Sequence, residues 1–140
     1  LSLRTTLSGK GDLIAALRQY INEFGIQTGL YAQFRSNVTA SPTISPTAEA
    51  QLVRIFQEAL TNVRKHAHAA NVEVSLDVRD GLLWFSVSDD GVGIQQEAIT
   101  GSHFGLLTMR ERAASINGEL NIYSSLGEGT RVELSLPLGV

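Results

Sequence analysis

The chain has 140 residues, the length of one domain, and can bury roughly two-thirds of its unfolded surface without a metal or disulfide staple. Its 43% apolar and 18% charged residues, with a mean hydropathy of +0.04, exclude disorder, a collagen-like repeat and a coiled coil. A net charge of −3 argues against nucleic acid or a polybasic membrane surface as partner, and without Cys there is no disulfide framework, thiol nucleophile or Cys-type zinc site.

Leu1–Leu7 is apolar at 1, 3 and 7 without a clear period, shows no signal peptide, and breaks at Ser8-Gly9-Lys10-Gly11. Residues 1–11 are therefore expected to be the tail of a preceding segment, with the domain proper at 12–140. From Asp12, a capping residue, Leu13, Ile14, Leu17, Ile21 and Phe24 recur with the helical period as far as Gly25 or Gly29. Leu30–Val38 is predicted as a strand, and Thr39–Ser45, rich in Thr, Ser and Pro, as a loop. Ser45 as N-cap and Pro46 at the first helical position open a long helix to about His68. Val72, Val74, Leu76 and Val78 then alternate with Glu73, Ser75, Asp77 and Arg79, a half-buried strand. Asp80-Gly81 supplies a two-residue turn, and Leu83, Phe85 and Val87 return. Asp89–Phe104 lacks a period and reads as a long loop, of a length usually found where a loop is functional. Gly105–Asn117 is helical and stops at Asn117-Gly118. A second hairpin follows: Leu120 and Ile122, a turn at Gly127-Glu128-Gly129, then Val132, Leu134 and Leu136. This order predicts an α+β two-layer sandwich, with helices over one face of a mixed sheet.

At about 100° per residue, Ile55, Phe56, Ala59, Val63 and Ala67 gather on the sheet-facing side of the long helix. Glu58, Asn62, Lys65 and His66 form a second stripe: a carboxylate, an amide, an ammonium and an imidazole. Such a stripe is most often a solvated face. Asp89-Asp90-Gly91-Val92-Gly93, at a strand end, reads equally as a turn or as a base-recognition element. In the second case the carboxylate takes an exocyclic amine and the glycines admit the ring. Gly105 opens a helix whose free N–H groups suit phosphate, although a plain helix start explains it as well. Gly127-Glu128-Gly129-Thr130 is by default a hairpin turn, with the Thr130 hydroxyl as a second function.

Taken in order, these segments resemble one family. Gln57-Glu58-Ala59-Leu60-Thr61-Asn62-Val63-Arg64-Lys65-His66-Ala67 is similar to the N box of the GHKL ATPases, the group of histidine kinases, DNA gyrase B, Hsp90 and MutL. Asp89-x-Gly91-x-Gly93 resembles the first glycine box, and Gly105-Leu106-x-x-Met109 with Gly127-x-Gly129-Thr130 the later ones. Lys65-His66-Ala67, Met109-Arg110-Glu111-Arg112-Ala113 and Gly127-Glu128-Gly129-Thr130 are similar to sensor histidine kinases of the nitrate/nitrite-sensor (NarX/NarQ-like) and degradation-regulator type. The resemblance runs from about residue 12 to the end. Asp12–Gly29 resembles the helix leading into that branch's ATP-binding domain, and residues 1–11 the tail of its dimerisation segment. Two positions depart: Asp90 stands where Asn is commoner, and His103-Phe104 precedes Gly105 where many relatives place a further Gly. His-aromatic-Gly is a mark of the nitrate-sensor branch.

The resemblance implies a Bergerat ATP-binding fold, with ATP and Mg²⁺ as cofactors. It makes Asn62 the Mg²⁺ ligand and Asp89 the acceptor of the adenine amine, supported by Thr130 through water. Lys65 and His66 face the phosphates, with His103 nearby on the lid. Gly91 and Gly93 hinge that lid, Ile94–Phe104, which closes over the triphosphate and is mobile without it. Gly105 and Leu106 offer backbone N–H groups to phosphate. Glu58 is assigned to catalysis, by orienting metal-bound water or assisting transfer. The implied activity is transfer of the γ-phosphate to a His on a separate dimerisation domain, for relay to a response regulator, by positioning and charge neutralisation. His66, His68 and His103 are poorly placed as acceptors. The parent is expected to be a homodimer, this domain cytoplasmic, and the parent open to a membrane anchor.

Two other classes stay open on the residues alone. One is an anti-sigma-factor-type GHKL serine kinase, disfavoured by Lys65-His66 and by the Met109–Ala113 run. The other is a non-enzymatic ATP-gated binding module that uses the lid for partner contact. Phosphorylation of Ser or of His separates the first from a histidine kinase, and absent phosphotransfer with intact ATP binding marks the second.

Overall fold

Asp12 caps the first helix, α1 (Leu13–Thr28), by accepting from the Ile14 N–H at 3.0 Å, and Gly29 ends it in the left-handed conformation at φ 79°. The computed structural model describes residues 12–101 and 103–138, so the tail assigned to 1–11 lies outside the described residues. After β1 (Tyr31–Ser36), the Ser45 hydroxyl accepts from the Ala48 N–H at 3.1 Å and opens α2 (Pro46–Asn62). The helix does not run on unchanged to His68. Val63–Ala67 widen into a π-type turn, and His68 stops it at φ 52°.

The hairpin of β2 (Asn71–Arg79) and β3 (Leu82–Asp89) turns through Asp80 and Gly81 at φ 53° and 75°, the pair of positive angles that a two-residue hairpin loop needs. The long loop holds one short helix, α3 (Gln96–Ile99), and a tight turn at His103–Gly105 before α4 (Leu106–Ala114). Then come β4 (Glu119–Ser124) and β5 (Thr130–Pro137).

The strands lie in the order β1-β2-β3-β5-β4, with β1 parallel to β2 and every other pair antiparallel. The sheet is therefore mixed, as the alternation predicts. One face is apolar: Val74, Leu76, Leu83, Phe85, Val87, Leu134 and Leu136 are buried with α1, α2 and α4. Phe56 of α2 binds the layers together, edge-on to Tyr20 of α1 at 5.2 Å and to Phe85 of β3 at 5.8 Å between ring centroids. The other face is polar and carries Arg35 with Glu73 and Asp77, Arg131 with Glu133, and Arg79 over Trp84. Pairs like these, each with a solvent-exposed arginine, add little stability, so the apolar layer holds the fold.

Candidate functional site

The apolar face ends in a polar row at the edge of the sandwich. Asp89 of β3 stands opposite Thr130 of β5, and Thr130 opposite Ser124 of β4, continuing the row Val87–Val132–Ile122 by one pleat. A cavity of about 230 Å³ opens there, between the end of α2, the sheet and the start of α4. Val63, Val87, Ile94, Leu106 and Val132 make its walls apolar, while Asn62, His66, Asp89 and Thr130 supply the polar groups. A larger groove of about 590 Å³, open to solvent, lies on the other side of Asp89 and Thr130. The smaller cavity combines apolar walls with a few convergent polar groups, the usual composition of a ligand site.

Asp89 is the charged group of that cavity. Burial pushes its carboxyl above the ordinary value; the backbone N–H groups of Gly91 and Thr130 pull it back, and the charge of Asp90 adds a further upward push. Oδ1 accepts from the Gly91 N–H at 2.8 Å, which fixes the side chain over the turn. Asp90 points away from the cavity. It accepts from the N–H groups of Ala70 and Asn71 and from the Asn71 side chain at 2.9, 2.8 and 2.7 Å. The Asn71 side chain, then its N–H, hold the Asp90 carboxyl below the ordinary value. Neighbouring carboxylates thus face opposite tasks: one lines the cavity, the other ties the turn to the start of β2.

The glycines of this turn are there for contact. Gly91 has no positive φ, yet a Cβ on it would lie 2.1 Å from the Ala67 carbonyl oxygen, which also accepts from the Val92 N–H at 2.7 Å. The widened turn of Val63–Ala67 delivers that carbonyl. A Cβ on Gly93 would meet the Ser125 carbonyl oxygen at 2.0 Å, and one on Gly129 the Asp89 carbonyl oxygen at 2.0 Å. Gly91 and Gly93, expected as hinges, and Gly129 thus stand where backbone segments approach too closely for side chains, and Gly93 and Gly129 also hold positive φ of 77° and 82°.

The lid is tied at several points. Asn62 Nδ2 donates to the Phe104 carbonyl at 2.6 Å, and the Phe104 ring meets His66 edge-on at 5.0 Å. Phe104 holds the left-handed conformation at φ 61°. Arg110 of α4 donates to the carbonyls of Ile99 and Gly101 at 2.8 and 3.0 Å. At the other end the Ile94 N–H donates to Ser124 Oγ at 2.8 Å, and Gln96 Nε2 to the Ser124 carbonyl at 2.7 Å. The lid, expected to be mobile without nucleotide, makes these hydrogen bonds through its carbonyls and N–H groups.

Of the expected site residues, Asn62, His66, Asp89, Gly93, Leu106 and Thr130 line the cavity. Gly91 lies behind it, against Ala67. Lys65 and His103 are exposed outside it. Glu58 is also outside, packed where a Cβ on Gly105 would fall and lining a small outer cavity with Arg54 and Arg112. Gly105 starts α4 at φ 70° with no side-chain cap, which leaves the first N–H groups of that helix uncapped by the protein's side chains. His68 lies on the far side of the turn, with Gln27 and Thr28. Sequence reasoning missed Ser124 and Arg110. The alternation Leu120, Ile122, Ser124 carries the signal for Ser124, because it puts a polar residue at a core-facing position.

Fold and site together define an α+β nucleotide-binding domain. The family profile described as Histidine kinase-, DNA gyrase B-, and HSP90-like ATPase matches residues 47–140. The chain belongs to this family, and its nucleotide is ATP. It is 36% identical over 133 residues to the sensor histidine kinase LiaS of Bacillus subtilis, covering 95% of this chain and 36% of that protein. It is 32% identical over 121 residues to the nitrate/nitrite sensor protein NarX of Escherichia coli, covering 86% of this chain and 19% of that protein. The chain thus spans about a third or less of the length of these curated relatives. The histidine kinase domain of the blue-light activated histidine kinase of Erythrobacter litoralis EL346 shares the fold, with a TM-score of 0.79 at 22% identity over 97% of this chain and 70% of that one.

Proposed function

We propose that the chain is the ATP-binding catalytic domain of a two-component sensor histidine kinase, and that the cavity at Asp89 holds the adenine of Mg·ATP. The observation that carries the reading is a partly buried carboxylate in a cavity with apolar walls, with glycine backbone beside it. Ionised, Asp89 is an acceptor only, which selects an exocyclic amine over a carbonyl. At about 230 Å³ the cavity is smaller than the roughly 300–1,000 Å³ of whole-ligand pockets, which suits the base alone with ribose and phosphates at its mouth.

Among the described residues no group of three or more His, Cys, Asp or Glu could hold a metal ion. A single neutral amide oxygen from Asn62 nevertheless fits Mg²⁺, which keeps several waters and takes its other ligands from substrate phosphates. Bound there, Mg²⁺ would neutralise phosphate charge. His66, Lys65 and the uncapped start of α4 stand on the phosphate side, and His103 reaches it from the lid. The lid excludes water. Glu58, outside the cavity, is assigned to support of Gly105 and the first turn of α4 or to assisting transfer.

Transfer needs a nucleophile in line with the γ-phosphate at near contact. His66 is held edge-on to Phe104 and His68 lies beyond the turn, which leaves His103 as the one histidine to test; the acceptor is assigned to a separate dimerising hairpin of the parent kinase, with a response regulator downstream. In this reading the domain is cytoplasmic. Among the described residues no helix is long and apolar enough to cross a membrane. Names of relatives favour this assignment over an anti-sigma-factor kinase. Titration with ATP and GTP, with Mg²⁺ and with chelator, tests the site: binding is expected for Mg·ATP, and equal affinity for GTP would overturn it. Labelled Mg·ATP is expected to leave the isolated chain unphosphorylated and to label an added hairpin bearing the acceptor His. Acid-labile label on the chain itself, lost in His103→Ala, would overturn the two-domain reading.

A further inference from the structure

Ser124 stands behind the cavity in the same cross-strand row as Thr130 and Asp89, and its hydroxyl makes three contacts. It lies 2.9 Å from the Gly129 carbonyl oxygen, 2.8 Å from the Ile94 nitrogen and 2.8 Å from Thr130 Oγ1. A hydroxyl has one hydrogen and two lone pairs. The Gly129 carbonyl can only accept, so that contact uses the one hydrogen of Ser124. The Ile94 N–H can only donate, so it uses one lone pair. The remaining lone pair faces Thr130, whose own hydrogen must then point at Ser124. Were that hydrogen turned away, two oxygens would face each other without a proton between them.

We infer that Ser124 is a specificity-determining positioning residue: it takes the hydroxyl hydrogen of Thr130 and so leaves Thr130 an acceptor only where it faces the base. Together with the Asp89 carboxylate, the end of the cavity then offers acceptors and no O–H donor. Such a surface accepts an exocyclic amine and opposes a 6-oxo group, whose lone pairs would meet those of Thr130. The inference rests on the reading of this cavity as the base site. It adds that purine choice is set by three residues in one register row and not by Asp89 alone. It also couples the base site to the lid, because the same oxygen holds the Ile94 N–H.

The test compares Mg·ATP with Mg·ITP, which carries oxygen in place of the exocyclic amine, by calorimetric titration of the whole chain. Wild type is expected to prefer ATP. Ser124→Ala frees the Thr130 hydroxyl to rotate and donate, and the ATP/ITP affinity ratio is expected to fall about five- to tenfold, the worth of one hydrogen bond. Thr130→Val is expected to lower the ratio similarly, and Ser124→Ala in that background to change it no further. If Ser124→Ala does not fold, Ser124→Cys, nearly isosteric and a weak hydrogen-bonding group, replaces it. A ratio unchanged by the Ser124 substitution, with both affinities reduced alike, would make Ser124 a lid root only and overturn the inference. A wild type that does not distinguish ATP from ITP would instead overturn the base-site reading beneath it.

Discussion

Asn62 on α2 and Phe104 on the lid are joined by a 2.6 Å hydrogen bond from the Asn62 side-chain nitrogen to the Phe104 carbonyl. The bond uses the amide nitrogen and leaves the amide oxygen its lone pairs for a cation. One side chain therefore stands at two junctions, with the lid and with the metal assigned to it. The two roles separate by substitution. Asn62→Ala is expected to cost about 1 kcal/mol of stability, to speed hydrogen exchange at the described lid residues, and to abolish Mg²⁺-dependent binding. Asn62→Asp turns a carboxylate oxygen toward the Phe104 carbonyl, so exchange is expected to speed while Mg²⁺-dependent binding persists. An exchange rate unchanged in both variants would show that the latch does not hold the lid in solution.

Asp89 and Asp90 should respond to pH with opposite signs. Burial raises the Asp89 value, so the folded state holds its proton more tightly than the unfolded state; Asp89 favours folding at low pH and loses that contribution as pH rises through its raised value. Asn71 lowers the Asp90 value, so its contribution is present above the unfolded value and is lost as pH falls through the lowered one. Asp89→Asn is accordingly expected to match or exceed wild-type stability at pH 7 without nucleotide, while its affinity for Mg·ATP falls. Thermal melts of Asp89→Asn and Asp90→Asn across pH 3–7 should diverge in opposite directions from wild type. Parallel curves would refute the assignment of opposite environments.

Two glycines offer a comparison of causes. Gly81 has φ 75° but open space around it, whereas Gly91 has no positive φ but lies against the Ala67 carbonyl. Gly81→Ala is expected to cost about 1–2 kcal/mol, the strain of the left-handed conformation. Gly91→Ala must push apart the α2 end and the Asp89 turn and is expected to cost more, about 3 kcal/mol, with loss of Mg·ATP binding. Denaturant titration of the pair decides it: a milder effect at Gly91 would mean that the contact with Ala67 relaxes freely.

Arg110 holds the lid from outside the cavity through the Ile99 and Gly101 carbonyls. Arg110→Ala is expected to free α3, raise exchange around residues 96–101 and weaken Mg·ATP binding, with a stability loss of about 1–2 kcal/mol. Arg110→Lys should not rescue it, because a single ammonium cannot reproduce the two-pronged donation. Full lid protection in Arg110→Lys would show that charge, and not the fork, is what the lid needs.

Local chemistry made most of the fold legible. The caps at Asp12 and Ser45, the Asp80-Gly81 turn and the alternation through Val72–Val87 are short-range signals, each satisfied within a few residues, and each element stands where they place it. Asp89 is legible as a carboxylate at a strand end, whereas Thr130 reads by default as part of a hairpin turn. What only the tertiary structure decided was which neighbour of a pair matters. Lys65 and His66 are adjacent on one polar stripe, but the π-type turn leaves His66 at the cavity and Lys65 in solvent. The alternation Leu120, Ile122, Ser124 singles out Ser124 over Ser125, but only its pairing with Thr130 brings that hydroxyl into the row of Thr130 and Asp89. Gly91 looks like a turn glycine until the Ala67 carbonyl, some two dozen positions earlier, is brought against it. Helical phase, strand register and backbone approach depend on contacts between segments far apart in the chain, and no local preference encodes them.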